Sequence, residues 1–125
     1  MRRSARHYLV AVGLVAAGLW RWRPVVRVEV EGESMWPTLR PGDRLLLVRP
    51  RRVEVGDLVA FADPRAPART LVKRVATLGP RGLTVLGDNA AASTDSRVLG
   101  PLAPASLKGR VVYRYLPEAR RGPVA

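Results

Sequence analysis

Short apolar runs separated by glycine- and proline-rich turns dominate the chain after residue 24. The first run, Val25–Val30, mixes valines with charged residues in alternation and predicts a strand with one apolar face. Further runs of strand composition lie at residues 44–48, 58–61, 70–78, 83–86 and 109–116, and each is soon followed by Gly or Pro. Residues 63–69 contain two prolines and predict a loop. Because no run here has a helical period, the pattern predicts an all-β, mainly antiparallel barrel or sandwich.

An earlier apolar run, Tyr8–Trp20, is uncharged for 13 residues and has three arginines close on each side. As a short helix it would span about 20 Å, against a hydrocarbon core of about 30 Å. We expect a retained membrane anchor, because no small-x-small cleavage site follows; a cleavable signal peptide is the alternative. The expected organisation is an anchor at residues 1–24, a β domain at 25–117 and a frayed tail at 118–125. The balanced flanking charge leaves the side of the membrane open.

The inventory of charged and nucleophilic residues excludes several classes of function. A net charge of +12 would suit nucleic acid or an anionic membrane surface. The positive residues are dispersed, without interleaved aromatic residues or a helix-turn-helix, so we expect membrane contact and no nucleic acid. The chain has no cysteine, and its single histidine, His7, precedes the apolar run. A Ser-His-Asp triad, a Cys-His pair and a His/Cys metal site are therefore excluded from the β domain, and no cofactor is expected.

Two residues remain as candidates for nucleophilic chemistry. Ser34 lies between the first predicted strand and a turn that contains Pro37 and Pro41, although a lone serine at such a place is more often only a loop residue. Of the 22 basic residues, only Lys73 and Lys108 are lysines. Arginine keeps its proton in proteins, whereas a desolvated lysine can lose it. Alternation on the 70–78 strand places Lys73 on one face with aliphatic neighbours, so it is the candidate base, unless its position is due to chance.

Three stretches in this order resemble the type I signal peptidase family, which are Ser/Lys-dyad endopeptidases that remove leader sequences. They are Ser34-Met35-Trp36-Pro37-Thr38, Lys73-Arg74, and Gly87-Asp88-Asn89 followed by Ser93-x-Asp95-Ser96-Arg97. The resemblance covers residues 28–115. It implies a mostly β fold, an active-site face near a membrane, and a precursor protein with a cleavable N-terminal leader as partner. It requires no metal or cofactor, and we expect a monomer.

The resemblance also implies a role for single residues. Ser34 would be the nucleophile and Lys73 the general base, with Met35 packed beside the site. Ser93 would hold the lysine ammonium by a hydrogen bond, while Asp95 and Arg97 would pair to brace their loop. Gly32 stands where many members have a serine that helps bind the oxyanion. The oxyanion hole would then rely on backbone N–H groups, including that of Ser34.

The compactness of the chain bears on the substrate. Only 13 residues separate Lys73 from Gly87, so the extra domain of larger members is missing. In this respect the chain resembles a narrower branch, the nickel-type superoxide dismutase maturation proteases, and the substrate stays open between secretory preproteins and a nickel superoxide dismutase precursor. A catalytically silent, membrane-tethered peptide-binding β domain is the alternative function. A self-cleaving repressor would need a DNA-binding domain, and residues 1–30 are too short and apolar to form one.

Overall fold

The computed structural model describes residues 25–49 and 52–124, in which seven strands form one antiparallel sheet. The strands are β1 (Val25–Glu29), β2 (Arg44–Val48), β3 (Leu58–Asp63), β4 (Ala66–Gly79), β5 (Gly82–Leu86), β6 (Leu107–Leu116) and β7 (Gly122–Pro123). Their order in the sheet is β1-β2-β6-β3-β4-β5, and β7 pairs with β6. The predicted all-β, mainly antiparallel class is confirmed.

The predicted membrane anchor, residues 1–24, lies outside the part of the chain that the structure describes. Within residues 25–49 and 52–124, every helix is too short or too polar to cross a bilayer. Three 3-10 turns and one helical turn, α1 (Ser96–Leu99), occur in the connections after β5 and β6. These short helices fall where the sequence predicted loops, because none is long enough to show a helical period.

Strand β3 forms the centre of the core, since side chains from both of its faces are buried. Leu58 and Ala60 pack in a cluster that includes Met35 from the segment after β1. Val59 and Phe61, which alternate with them, pack in a second cluster on the other face. A strand that is covered on both faces needs apolar residues at consecutive positions, which explains the uninterrupted Leu-Val-Ala-Phe sequence.

Strand β4 begins earlier than predicted, so the expected loop at residues 63–69 is reduced to a tight turn. The buried Asp63 carboxylate accepts hydrogen bonds from the Arg65 backbone N–H at 2.9 Å and from the Arg65 guanidinium at 3.2 and 3.1 Å. These bonds close the turn, and Ala66 already pairs with Asp63. The prediction was wrong because an ion pair within the turn let the hairpin continue despite its prolines. The result is a long β3–β4 hairpin that carries Arg69 and Lys73.

The C-terminal segment differs from the predicted frayed tail. Glu118–Arg120 forms a 3-10 turn, and β7 then pairs with residues 113–114 of β6. Arg120 pairs with Asp43, whose carboxylate is fully buried. The Arg120 backbone carbonyl accepts a hydrogen bond from Arg114 Nε at 2.6 Å. A buried carboxylate needs cationic or hydrogen-bonding partners. The bonds of Arg120 to Asp43 and Arg114 therefore hold the C-terminal segment in place, although its polar composition alone predicted a frayed tail.

Candidate active site

The turn that carries Ser34 is fixed at both of its ends. The Val30 N–H donates to the Asp43 carbonyl at 2.8 Å, and the Gly42 N–H donates to the Val30 carbonyl at 2.9 Å. Between these bonds, Met35 and Leu39 are 1% and 0% exposed and anchor the turn in the core. The turn therefore holds Ser34 on a rigid backbone, with its side chain partly exposed.

Lys73 is buried on β4, although it carries an ionisable amine. Its side chain is 2% exposed and shares a strand face with Leu71 and Val75. Within the described residues, Lys73 Nζ makes neither a hydrogen bond nor an ion pair. Burial lowers the pKa of Lys73, Asp95 opposes this effect, and Arg69 strengthens it. A lysine in this state gives up its proton much more readily than a solvated one.

Ser34 and Lys73 line the same cleft, which has a volume of about 90 Å³. Gly32 and Met35, the two neighbours that the sequence singled out on the Ser34 side, also line it. Thr94 contributes to the lining from the loop after β5. The structure thus brings together the predicted nucleophile, the predicted base and both of these predicted supporting residues.

Ser93 lies between Ala92 and Thr94, which line the cleft, but it makes no hydrogen bond to the lysine among the described residues. Its hydroxyl donates to Asp95 Oδ2 at 3.0 Å, and among the described residues no hydrogen bond joins Ser93 to Lys73. The predicted Ser93–Lys73 bond is therefore absent. The Ser93 hydrogen is directed at the fully buried Asp95 carboxylate, which needs donors, and a hydroxyl oxygen that donates in this way can still accept from an ammonium group.

Asp95 organises the loop around it. Arg97 donates from Nε to Asp95 Oδ1 at 2.9 Å and from its terminal nitrogen to Oδ2 at 3.0 Å, which is the predicted ion pair. The Gly87 N–H adds a bond of 3.0 Å. Burial alone would raise the pKa of Asp95, but these bonds and the bond from Ser93 hold it well below the usual range. Asp95 therefore stays ionised and keeps the loop folded.

The same loop is attached to the Ser34 turn by contacts that the sequence did not predict. The Asn89 backbone N–H donates to the Ser34 carbonyl at 2.9 Å, and Asn89 Nδ2 donates to the Glu33 carbonyl at 3.0 Å. Thr38 Oγ1 donates to Asp88 Oδ2 at 2.6 Å. Sequence reasoning quoted Asp88 and Asn89 as part of a motif without giving them a role. The one sequence signal for a role of Asp88 and Asn89 was their position directly after Gly87.

Strand β4 is also bonded to the loop after β5, through Arg74, which is next to the candidate base. Arg74 donates from Nε and its terminal nitrogen to the two Asp88 oxygens at 2.9 and 2.8 Å. A bidentate pair of this kind fixes orientation as well as distance. Arg74 also donates to the Gly56 carbonyl at 2.9 Å. Since Arg74 follows Lys73 directly, the pair ties the strand of the base to the loop that holds the serine turn.

Gly87 permits the closest approach in the site. A Cβ at this position would overlap the Ser93 hydroxyl and would lie 2.7 Å from the Ser34 carbonyl oxygen. Only glycine fits here, because any side chain would push the loop away from the Ser34 turn. Sequence reasoning placed Gly87 in a motif but did not count it among the site residues.

The backbone of the turn provides candidate oxyanion donors. Among the described residues the Ser34 N–H donates no hydrogen bond. Gly32 has φ +72°, a left-handed conformation that favours glycine, and a Cβ at this position would have no neighbouring atom within 4 Å. A free N–H at the nucleophile can stabilise a negative oxygen that forms beside it.

Comparison with known proteins connects this geometry to a protein family. The sequence pattern of the family described as "Signal peptidase, peptidase S26" matches residues 1–82, which include Ser34 and Lys73. The chain is 33% identical to mitochondrial inner membrane protease subunit 2 of Mus musculus, over 90% of this chain and 78% of that protein. It is 33% identical to mitochondrial ATP-independent inner membrane protease subunit 1a of Arabidopsis thaliana, over 70% and 68% of the two chains. It is 30% identical to mitochondrial inner membrane protease subunit 1 of Xenopus tropicalis, over 94% and 84%.

Proposed function

Because the chain belongs to the signal peptidase family, peptidase S26, we propose that it is a serine endopeptidase that removes N-terminal leaders from precursor proteins. Ser34 is the proposed nucleophile and Lys73 the proposed general base. The observation that carries this assignment is the buried Lys73 amine, which has no partner among the described residues and lines the same cleft as Ser34. An unpaired buried amine is costly to keep protonated, and a proton-accepting role gives a reason for its position.

The lowered pKa is what makes this lysine usable as a base. At its ordinary pKa of 10.5, the amine would be neutral in well under about 0.1% of molecules at pH 7. Desolvation disfavours the ammonium form, and a docked apolar peptide would displace water from the cleft and strengthen the effect. Arginine at the same place would stay charged at any physiological pH.

The proposed reaction has two halves, acylation of Ser34 and hydrolysis of the acyl-enzyme, and each half involves two proton transfers. Neutral Lys73 takes the proton of the Ser34 hydroxyl while the oxygen attacks the scissile carbonyl carbon. The tetrahedral intermediate collapses to an acyl-enzyme, and the Lys73 ammonium gives its proton to the departing amine. Lys73 then takes a proton from water, the hydroxide attacks the ester, and the ammonium returns its proton to the Ser34 oxygen. The Ser34 N–H stabilises the oxyanion, since Gly32 offers no hydroxyl.

The proposed setting is a membrane, and the proposed substrate is a precursor protein. The relatives named above are inner membrane proteases, which supports action at a membrane, with the segment at residues 1–24 as the proposed anchor. The proposed partner is a precursor with a cleavable N-terminal leader, and the enzyme acts as a monomer. The compact β4–β5 connection supports the nickel superoxide dismutase precursor as a substrate beside general secretory preproteins.

Incubation with both precursors and mass spectrometry of the new N-termini tests the proposal. Wild-type protein is expected to release one defined N-terminus from at least one of them. Ser34→Ala and Lys73→Arg should each abolish cleavage while the protein stays folded, and Lys108→Arg is the matched control. A folded wild-type protein that cleaves neither precursor and does not react with a serine-directed activity probe would instead be a silent peptide-binding domain.

A further inference from the structure

The ten carboxylates of this chain differ in their partners: five form ion pairs, Asp57 accepts the Glu54 backbone N–H at 2.8 Å, and four glutamates, of which Glu54 lies outside the cleft, have no side-chain partner among the described residues. Five are ion-paired with arginines: Asp43, Asp63, Asp88, Asp95 and Glu118. By contrast, Glu29, Glu31 and Glu33 make no ion pair or side-chain hydrogen bond with any described residue, although basic residues outnumber acidic ones by 22 to 10. All three line the cleft of Ser34 and Lys73.

The opposite wall of the cleft does not neutralise these glutamates. Arg65 is paired with Asp63, which cancels its charge. Arg69 is the one cation of that wall without a partner among the described residues, and Lys73 is neutral in its active form. Three negative charges therefore face one positive charge, on a protein whose net charge is +12. The cleft is a local region of negative potential that attracts cations.

The spacing of the glutamates follows the path of an extended peptide. Glu29 and Glu31 are exposed and flank the buried Val30, so they alternate outward as strand residues do. At most about 3.5 Å of extended chain per residue places Glu31 up to about 10 Å, and Glu29 up to about 17 Å, from Ser34. A larger cavity of about 530 Å³ continues from the cleft and leaves room for side chains. Its charged lining is Glu29, Glu31, Arg69 and Arg27, and the Arg27 guanidinium lies over the Tyr115 ring at 5.7 Å from its centroid.

We propose that Glu29 and Glu31 bind a lysine or arginine side chain of the precursor, three to five residues from the scissile bond. This inference rests on the proposed peptidase function and adds a substrate preference to it. A second observation supports a ligand at this place: the Lys73 side chain, 2% exposed and without a partner in the described chain, lines the cleft beside them. An extended substrate that approaches Ser34 along this side of the cleft passes these carboxylates.

A peptide scan measures the preference directly. A cleavable leader peptide is made with Lys or Gln at each position from six residues before to four residues after the scissile bond. For wild-type protein, the ratio of kcat/KM for the Lys and Gln peptides should reach about 3- to 10-fold at three to five residues from the bond and decline with salt. In Glu29→Gln/Glu31→Gln the ratio should fall to about 1. Glu31→Lys should reverse the preference toward a peptide with Glu at that position.

Glu54→Gln is the matched control, because Glu54 is an exposed glutamate outside the cleft and its loss should leave the ratio unchanged. An active double variant that keeps the wild-type ratio overturns the inference and leaves the peptidase assignment intact. If wild-type protein cleaves no peptide, the peptidase assignment fails. Binding of a basic side chain by Glu29 and Glu31 is then tested by the affinity of the Ser34→Ala protein for the Lys and Gln peptides. Tighter binding of the Lys peptide supports the inference, and equal affinities overturn it.

Discussion

Lys73 lies directly opposite Val59 in the β3–β4 ladder, so the candidate base faces an apolar strand neighbour that cannot accept a hydrogen bond. Val59 is 0% exposed and belongs to the same core cluster as Leu71 and Val75, which flank Lys73 on its own strand face. The folded protein thus penalises the ammonium form of Lys73, whereas the unfolded chain solvates it. Catalytic competence and stability therefore oppose each other at this position.

Replacement of Lys73 by methionine should raise stability and abolish cleavage. Because the folded pKa lies below 10.5, the folded state binds fewer protons than the unfolded state between these two pKa values, and wild-type stability rises with pH in that window. Lys73→Met removes this dependence and the cost of burying the amine. Urea unfolding at pH 6 and pH 9 measures both effects. Lys108→Met, at an exposed position, should leave the pH dependence unchanged, and a loss of stability in Lys73→Met at pH 6 would contradict the burial argument.

The pH profile of cleavage should have an acidic limb near or above neutrality, set by deprotonation of Lys73 rather than by a carboxyl group. Activity rises with pH as the lowered pKa of Lys73 is passed. Arg69 helps to lower this pKa, so Arg69→Gln should move the limb to higher pH. Single-turnover cleavage rates measured from pH 5 to pH 10 locate the acidic limb in the wild type and in Arg69→Gln. A profile that is flat over this range, with chemistry rate-limiting, would count against a lysine base.

Six of the seven strands, and the two residues proposed as the centre of the candidate site, could be predicted from the sequence because their signals are local. Alternation and turn residues located the strands, and the scarcity of lysine singled out Lys73. The attachment of Asp88 and Asn89 to the Ser34 turn could not be predicted, since these bonds join residues 50 or more positions apart. The bond from Ser93 to Asp95 could not be predicted either, because the sequence does not reveal that the Asp95 carboxylate is fully buried and needs this donor.

Gly87→Ala should cause a large loss of both stability and activity. A methyl group at Gly87 would overlap Ser93 and lie 2.7 Å from the Ser34 carbonyl oxygen, so the loop must move away from the nucleophile. Displacement of catalytic groups by about 1 Å can cost about 100-fold in rate. Gly79→Ala is the control, because its nearest contact would be 3.9 Å and its backbone is extended. Thermal melts and kcat/KM on the same preparations test the pair, and near-wild-type activity in Gly87→Ala would contradict the close approach.

Arg120→Ala should destabilise the protein by roughly 1–3 kcal/mol, since it removes a partner from the buried Asp43 carboxylate. Cleavage should fall as well, because Asp43 then depends on the Arg40 backbone N–H and on Arg114, which also donates to the Thr38 carbonyl in the Ser34 turn at 3.0 Å. Arg121→Ala removes an exposed ion pair with Glu118 and an exposed hydrogen bond of 3.2 Å to the Tyr115 carbonyl, and should cost less than about 1 kcal/mol. Equal effects of the two substitutions in urea unfolding would show that the tail is not held by Asp43.

Ser93→Ala and Asp95→Asn should differ, because one removes a donor and the other removes the centre of the network. Ser93→Ala deletes a single bond to Asp95 and should cost about 1 kcal/mol with a small loss of activity. Asp95→Asn weakens the bonds from Arg97 and Gly87 as well, so stability and activity should fall together, by about 2–3 kcal/mol in stability.

The pH dependence of stability separates this explanation from a direct role of Ser93 in catalysis. The folded pKa of Asp95 lies below its ordinary value of 3.8, so the stability that its charge contributes is fully present above about pH 3.8 and is lost as pH falls below it. The difference in unfolding free energy between wild type and Asp95→Asn should therefore shrink in acid, while that of Ser93→Ala should change less. Urea titrations from pH 2 to pH 7 measure both. A loss of more than about 100-fold in kcat/KM for Ser93→Ala at unchanged stability would mean that the hydroxyl acts on Lys73 during turnover.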